Sequence, residues 1–331
     1  MQSPPAAPEA NPVRDPVPAT AAPAATRALL LGIAAAAFFA VTFVLNRSMA
    51  DAHGHWAWSA SLRYYLMLPF LAAMLAVRGE WRALRRALRA TPGAWVVWGT
   101  VGFVVFYAPL TAAGALAPAW VVAGTWPVTI VAGLLLSPLL YSDHRRRIPY
   151  RALLGSLVIV AGVLLLQAEQ ARAADPATAA LGLLLVMIAA VAYPLGNRKM
   201  MHVLESSGSG PVDPFVRLAG MTLGSLPAWL LVSGFGYAQA GWPPAGQVMQ
   251  AGVVALCSGI IATWLFFAAT DAVGTQPVAL AAVEATQAAE VPFALVLEAM
   301  LLGAAWPAPL SWLGLAVIVA GIIGYARLAG R

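Results

Sequence analysis

Ten apolar runs, each long enough to cross a bilayer, decide which solvent this chain folds in. They cover residues 27–46, 57–77, 93–114, 118–140, 151–167, 178–195, 214–235, 247–269, 277–301 and 309–327. A run of roughly 17–25 residues spans about 30 Å of hydrocarbon at 1.5 Å per helical residue. Hydrocarbon offers backbone N–H and C=O groups no partner, so each run must satisfy its own as a helix, and a β-barrel is excluded. The expected fold is an all-α polytopic membrane protein with ten transmembrane helices. Charged residues make up 10% of the chain, far below the roughly 25% of soluble domains.

A pI of 9.9 would suit a nucleic-acid partner, but the basic residues sit where a membrane surface needs them. With the N-terminus inside, all nineteen basic residues except Arg47, Arg172, Arg63 and Arg217 fall on the cytoplasmic side. Such a bias sets orientation, so both termini are expected in the cytoplasm, with the protein in a bacterial-type inner membrane. The segment 81–89 places Trp81, Leu84 and Leu88 on one face and arginines opposite, as an interfacial helix does. Residues 1–26 are rich in Pro and Ala and are expected to form a disordered cytoplasmic tail. The first apolar run continues into Asn46-Arg47 without the pattern of a cleavable signal. Cys257 stands alone within a span, which provides neither a disulfide framework nor a thiolate metal site.

An internal repeat organises the spans. Gly155-Ser-Leu-Val-Ile-Val-Ala-Gly162 in the fifth span returns as Gly314-Leu-Ala-Val-Ile-Val-Ala-Gly321 in the tenth, 159 residues later. Pro118 and Pro277 share that offset. Asn46-Arg47 matches Asn197-Arg198 at 151, and Arg63 matches Arg217 at 154. Four matches in order, with little drift, define two repeats, 27–167 and 178–327. Five spans per repeat is an odd number, so the second repeat enters the membrane inverted. This 5+5 inverted repeat is the architecture of secondary transporters, with the substrate site near the midplane.

The chain resembles the drug/metabolite transporter superfamily, the EamA-domain relatives, on the ten-helix repeat and the glycine-bracketed helix closing each half. Residues 56–70 and 284–291 are similar to segments of its multidrug resistance efflux transporter branch. Two features depart from the wider pattern. Leu302-Gly303-Ala304 stands where EamA domains often carry Leu-Gly-Glu, and the first span has no acid. The glutamate mechanism of small multidrug resistance proteins therefore does not transfer residue by residue.

The ninth span carries its own chemistry. At 100° per residue, Glu284, Gln287, Glu290 and Glu298 lie within an arc of about 120°, a polar stripe that must face protein or water. Glu290 is nearest the bilayer centre, and Pro292 frees the carbonyl of Ala288, which puts broken-helix geometry beside it. A carboxyl there can exchange a proton for a substrate, or stay neutral and bond a neighbouring helix. Glu298 reads as an interfacial, solvated acid. Arg63 pairs with a ninth-span carboxylate or snorkels to the outer interface. Trp126, Tyr64 and Tyr107 offer aromatic walls for a lipophilic or cationic substrate, although packing explains such residues more often. His53-Gly54-His55 has no Cys or carboxylate cluster beside it, so no metal is expected.

These features point to a secondary active transporter and not an enzyme. No nucleotide loop or acidic metal motif is present, which disfavours ATP coupling and an intramembrane lipid-modifying enzyme. The expectation is a proton-coupled exporter of small lipophilic, cationic or zwitterionic compounds, without cofactors. An exporter of a specific amino acid or polar metabolite is the alternative.

Overall fold

The computed structural model of the protein describes residues 21–140, 150–207, 212–273, 283 and 286–329. Among these residues every regular element is helical: α1 (Ala21–Asp51), α2 (Trp56–Arg78), α3 (Trp81–Ala90), α4 (Pro92–Leu116), α5 (Ala119–Leu140), α6 (Tyr150–Ala173), α7 (Pro176–Ser206), α8 (Pro214–Ala240), α9 (Ala245–Thr270), α10 (Glu290–Leu302) and α11 (Pro309–Ala329). Seven of them, α1, α2, α4, α5, α7, α8 and α9, are long and apolar enough among the described residues to cross a membrane. The protein is thus a multi-pass membrane protein. The described apolar stretches of the fifth and tenth spans, Leu157–Glu169 and Pro309–Gly324, are shorter. A 3-10 turn over Thr286–Ala289 leads directly into α10.

Local chemistry sets the helix ends. Asp175 and Asp213 accept from the N–H groups of Thr178 and Phe215, and a proline follows each cap at the first helical position, where its missing N–H costs nothing. Gly79 and Gly303 close α2 and α10 at φ 69° and 62°, a backbone only glycine adopts freely. Helix α3 buries Leu84 and Ala87 and exposes Arg82, Arg85, Arg86 and Arg89.

Two helices change pitch within the membrane. α4 contains a π-helical segment at Thr100–Val105, and α9 contains one at Ala255–Ala262. Each segment holds a glycine that a methionine of the other half of the chain packs against. A Cβ on Gly102 would lie 2.9 Å from Met221 Cε, and one on Gly259 would lie 2.7 Å from Met67 Sδ. Helices α6 and α11 also meet through glycine: Gly162 faces Ile318, while Gly321 faces Ile159. Without a hydrophobic drive between helices in lipid, small residues let backbones approach and gain dispersion contacts.

Candidate functional site

Helices α1, α2, α4, α5, α7, α8 and α9, the turn before α10 and the first residue of α10 line a cavity of about 150 Å³. It reaches from Arg63, two turns into α2, to Pro214 and Arg217 at the start of α8. Its walls are largely aromatic. Phe106, Trp126 and Tyr193 form one group, with ring centroids 4.9–5.6 Å apart.

Glu290 and Gln287 line this cavity. Glu290 is the first residue of α10, where the 3-10 turn gives way to α-helix, and it is 4% exposed. Pro292, within the first turn of α10, has no N–H to contribute, so the chain changes helix type here at little hydrogen-bond cost. Among the described residues, the Glu290 carboxyl makes no hydrogen bond or ion pair. Glu284 lies outside the described residues.

Trp126 lies at the break in α5, between the helical stretches Ala119–Thr125 and Val128–Leu140, where Pro127 interrupts the ladder. It shares the cavity with Glu290. Tyr64 also lines it, stacked on Trp229 at 4.7 Å. Tyr107 is fully buried behind that wall; its hydroxyl donates to Asn46 Oδ1 at 3.3 Å.

Arg63 takes neither course read from its position in the sequence. It is buried at the cavity wall, with its guanidinium carbon 4.3 Å from the Tyr107 ring centre and 5.7 Å from that of Tyr64. One terminal nitrogen donates to Ser258 Oγ at 3.0 Å, and among the described residues its Nε–H has no partner. Arg217, 154 residues further along the chain, lines the same cavity. Among the described residues no carboxylate stands within ion-pair distance of either arginine. Among the described residues, Arg63, Arg217 and the Glu290 carboxyl therefore share an aromatic chamber.

Sequence reasoning passed over Tyr193, Phe106, Asn197 and Ser258 as cavity residues. Asn197 carried a signal as the repeat partner of Asn46, whereas an aromatic or serine in a span carries none. Glu298 departs from its expected interfacial exposure. It is 2% exposed and accepts two backbone N–H groups at the start of α5. His55 caps α2, with Nδ1 accepting from the Ala57 N–H at 3.3 Å. The arginine-lined surface of α3 lies apart from the cavity.

Known proteins resemble this chain over nearly its whole length. The family model "EmrE: Putative multidrug resistance efflux transporter" matches residues 26–331. "Uncharacterized protein YjlA" of Bacillus subtilis (strain 168) is 47% identical over 306 residues, covering 90% of this chain and 93% of the relative. A Shouchella clausii protein, "Uncharacterized 42.1 kDa protein in intracellular alkaline protease 3'region", is 46% identical over 81% of this chain and 71% of its own length. A solved structure described as "Crystal structure of protein" superposes with a TM-score of 0.57 at 20% identity, over 91% of this chain and 95% of that one. At that identity the likeness speaks for a shared fold alone.

Proposed function

This chain belongs to the "Putative multidrug resistance efflux transporter" family, and on that footing we propose that it is a proton-coupled exporter of small lipophilic, cationic or zwitterionic compounds. The observation that carries the reading is Glu290, a buried carboxyl with no hydrogen-bond or ion-pair partner among the described residues, at the wall of an aromatic cavity. Protonation alone changes the cost of holding such a group near hydrocarbon. A carboxyl that binds either a proton or the substrate couples the two fluxes. In this role the protein is a transporter and not an enzyme, and the residues that meet the substrate are Glu290, Gln287, Trp126, Tyr64 and Arg63, with Tyr107 positioning Arg63. Glu284 belongs to the same polar stripe by register.

The proposal includes the architecture: ten helices in a 5+5 inverted repeat, halves 27–167 and 178–327, both termini cytoplasmic in the inner membrane, and residues 1–26 as a tail. It is supported by contacts that recur with the chain halves exchanged. Gly102 meets Met221 as Gly259 meets Met67, and Gly162 meets Ile318 as Gly321 meets Ile159. Two π-helical segments at matching places in α4 and α9 add to this, a feature frequent at functional sites. Alternating access then follows from one half rocking on the other around the cavity.

The test is Glu290→Gln in proteoliposomes with an imposed pH gradient, screened against lipophilic cations and zwitterions. Glutamine preserves shape and mimics the protonated acid, so the fold is retained and gradient-driven uptake is lost. Wild-type rate with unchanged pH dependence in the variant would refute Glu290 as the coupling group.

A further inference from the structure

We propose that α3 and the adjoining ends of α2 and α4 form a docking surface for an anionic phospholipid. Its phosphate is held by Arg82, Arg85, Arg86 and Arg89, and its acyl chains lie on the apolar flank beside them. The surface is separate from the central cavity and does not depend on what the protein transports. At 100° per residue the four arginines fall within an arc of about 100°, opposite the buried Leu84 and Ala87. All four are exposed, and together they line an open depression of about 430 Å³. Spacings of three and four residues bring like charges side by side, which weakens a helix unless an anion lies between them. Among the described residues no carboxylate stands within ion-pair distance of any of the four. Glu80, next to the start of α3, and Asp213 both pair with Arg78 instead, at 2.9 and 2.8 Å.

The place of the helix selects the kind of anion. α3 joins α2 through Gly79-Glu80 and α4 through Thr91 alone, so the arginines are tied to the ends of two membrane-length helices. Those ends carry exposed apolar side chains. Val77 in the last turn of α2 is 88% exposed, and Val96 and Val97 near the start of α4 are exposed as well. Trp81, the first residue of α3, is also exposed, and an indole favours the headgroup level of a bilayer. A soluble phosphate would engage the arginines alone, whereas a phospholipid engages the arginines and the flank together. The helix is fixed before any lipid arrives, because Leu84 and Ala87 are buried and Trp95 Nε1 donates to the Ala87 carbonyl at 2.8 Å. A guanidinium meets a phosphate through paired N–H donors. Clusters of this size on a helix beside a membrane span attract anionic lipid.

Lipid retention by the full-length protein in detergent tests this. The protein is incubated with phosphatidylglycerol or with phosphatidylcholine of the same acyl chains, and bound lipid is counted by native mass spectrometry. Phosphatidylglycerol is expected to be retained over phosphatidylcholine by about tenfold or more, since each arginine near a membrane surface is worth about fivefold in affinity for anionic lipid. Raising salt from about 0.05 to about 0.5 M should erase the preference in the unmodified protein, because screening shortens the reach of exposed charges. Arg85→Gln combined with Arg86→Gln should lower phosphatidylglycerol retention by about tenfold or more and leave phosphatidylcholine unchanged. Arg172→Gln, exposed on α6 and outside the cluster, should change neither. Equal retention of the two lipids, a preference that survives high salt or the double substitution, or an equal loss in Arg172→Gln would overturn the proposal. Displacement of phosphatidylglycerol by inorganic phosphate at constant ionic strength would overturn it too, by marking the site as one for a soluble anion.

Discussion

Glu298 on α10 holds the N–H of Ala119 at 2.9 Å and that of Trp120 at 3.1 Å, so a side chain from the ninth span serves as the N-terminal cap of α5. The start of a helix has unmet donors and a partial positive charge, and a carboxylate meets both. The contact ties the two halves of the chain together beside Pro118, which precedes the helix and cannot cap it with a side-chain oxygen.

Removing this cap should be costly. Glu298→Ala leaves two buried donors unmet and is expected to destabilise the protein by about 2–4 kcal/mol, while Glu298→Gln, with one acceptor oxygen left, loses roughly half of that. Thermal unfolding in detergent measures both. A solvated interfacial acid would instead show no difference between the variants and the parent.

The seam between α6 and α11 gives a second prediction. A Cβ on Gly162 would lie 2.7 Å from both Cγ1 and the backbone N of Ile318, and one on Gly321 would lie 2.9 Å from the same atoms of Ile159. Backbone cannot move aside as a side-chain tip can. Gly162→Ala and Gly321→Ala should therefore each cost about 1–3 kcal/mol and lower the unfolding temperature by similar amounts. Gly234→Ala at an exposed position of α8, where nothing lies within 4 Å, should be neutral or add up to about 1 kcal/mol. Unequal losses at the two seam glycines would speak against an interface related by a twofold.

The third prediction concerns His55, just outside the membrane end of α2. Its Nδ1 must be unprotonated to accept from the Ala57 N–H, and burial holds the imidazole below its ordinary value of 6.5. Because the folded state favours the neutral ring, the stability it contributes is present above the unfolded pKa and declines as pH falls below about 6.5. His55→Asn keeps a capping oxygen and should remove that decline, whereas His55→Ala should cost about 0.5–2 kcal/mol at neutral pH. Unfolding temperatures at about pH 7.5 and about pH 5.5 separate the three proteins.

Hydropathy sums along the chain, so the membrane class and the apolar runs were determined by sequence alone, whereas the acids read there as one stripe part company in the structure: Gln287 and Glu290 line the cavity and Glu298 caps α5. The likeness of residues 155–162 to 314–321 was legible there too, while the approach of Gly162 to Ile318 and of Gly321 to Ile159 came from the packing. Tertiary structure decided what the polar groups do. Arg63 reaches Ser258 across 195 residues, and Glu298 reaches Ala119 across 179. No local pattern encodes such a pairing, since a carboxyl near a helix end reads alike whether it meets water or another helix's N–H groups. The collection of Arg63, Arg217, Glu290 and Trp126 around one cavity likewise depends on how α2, α5, α8 and α10 pack. Packing in lipid is set by close contact of surfaces, not by hydropathy, which is the same on every side of an apolar helix.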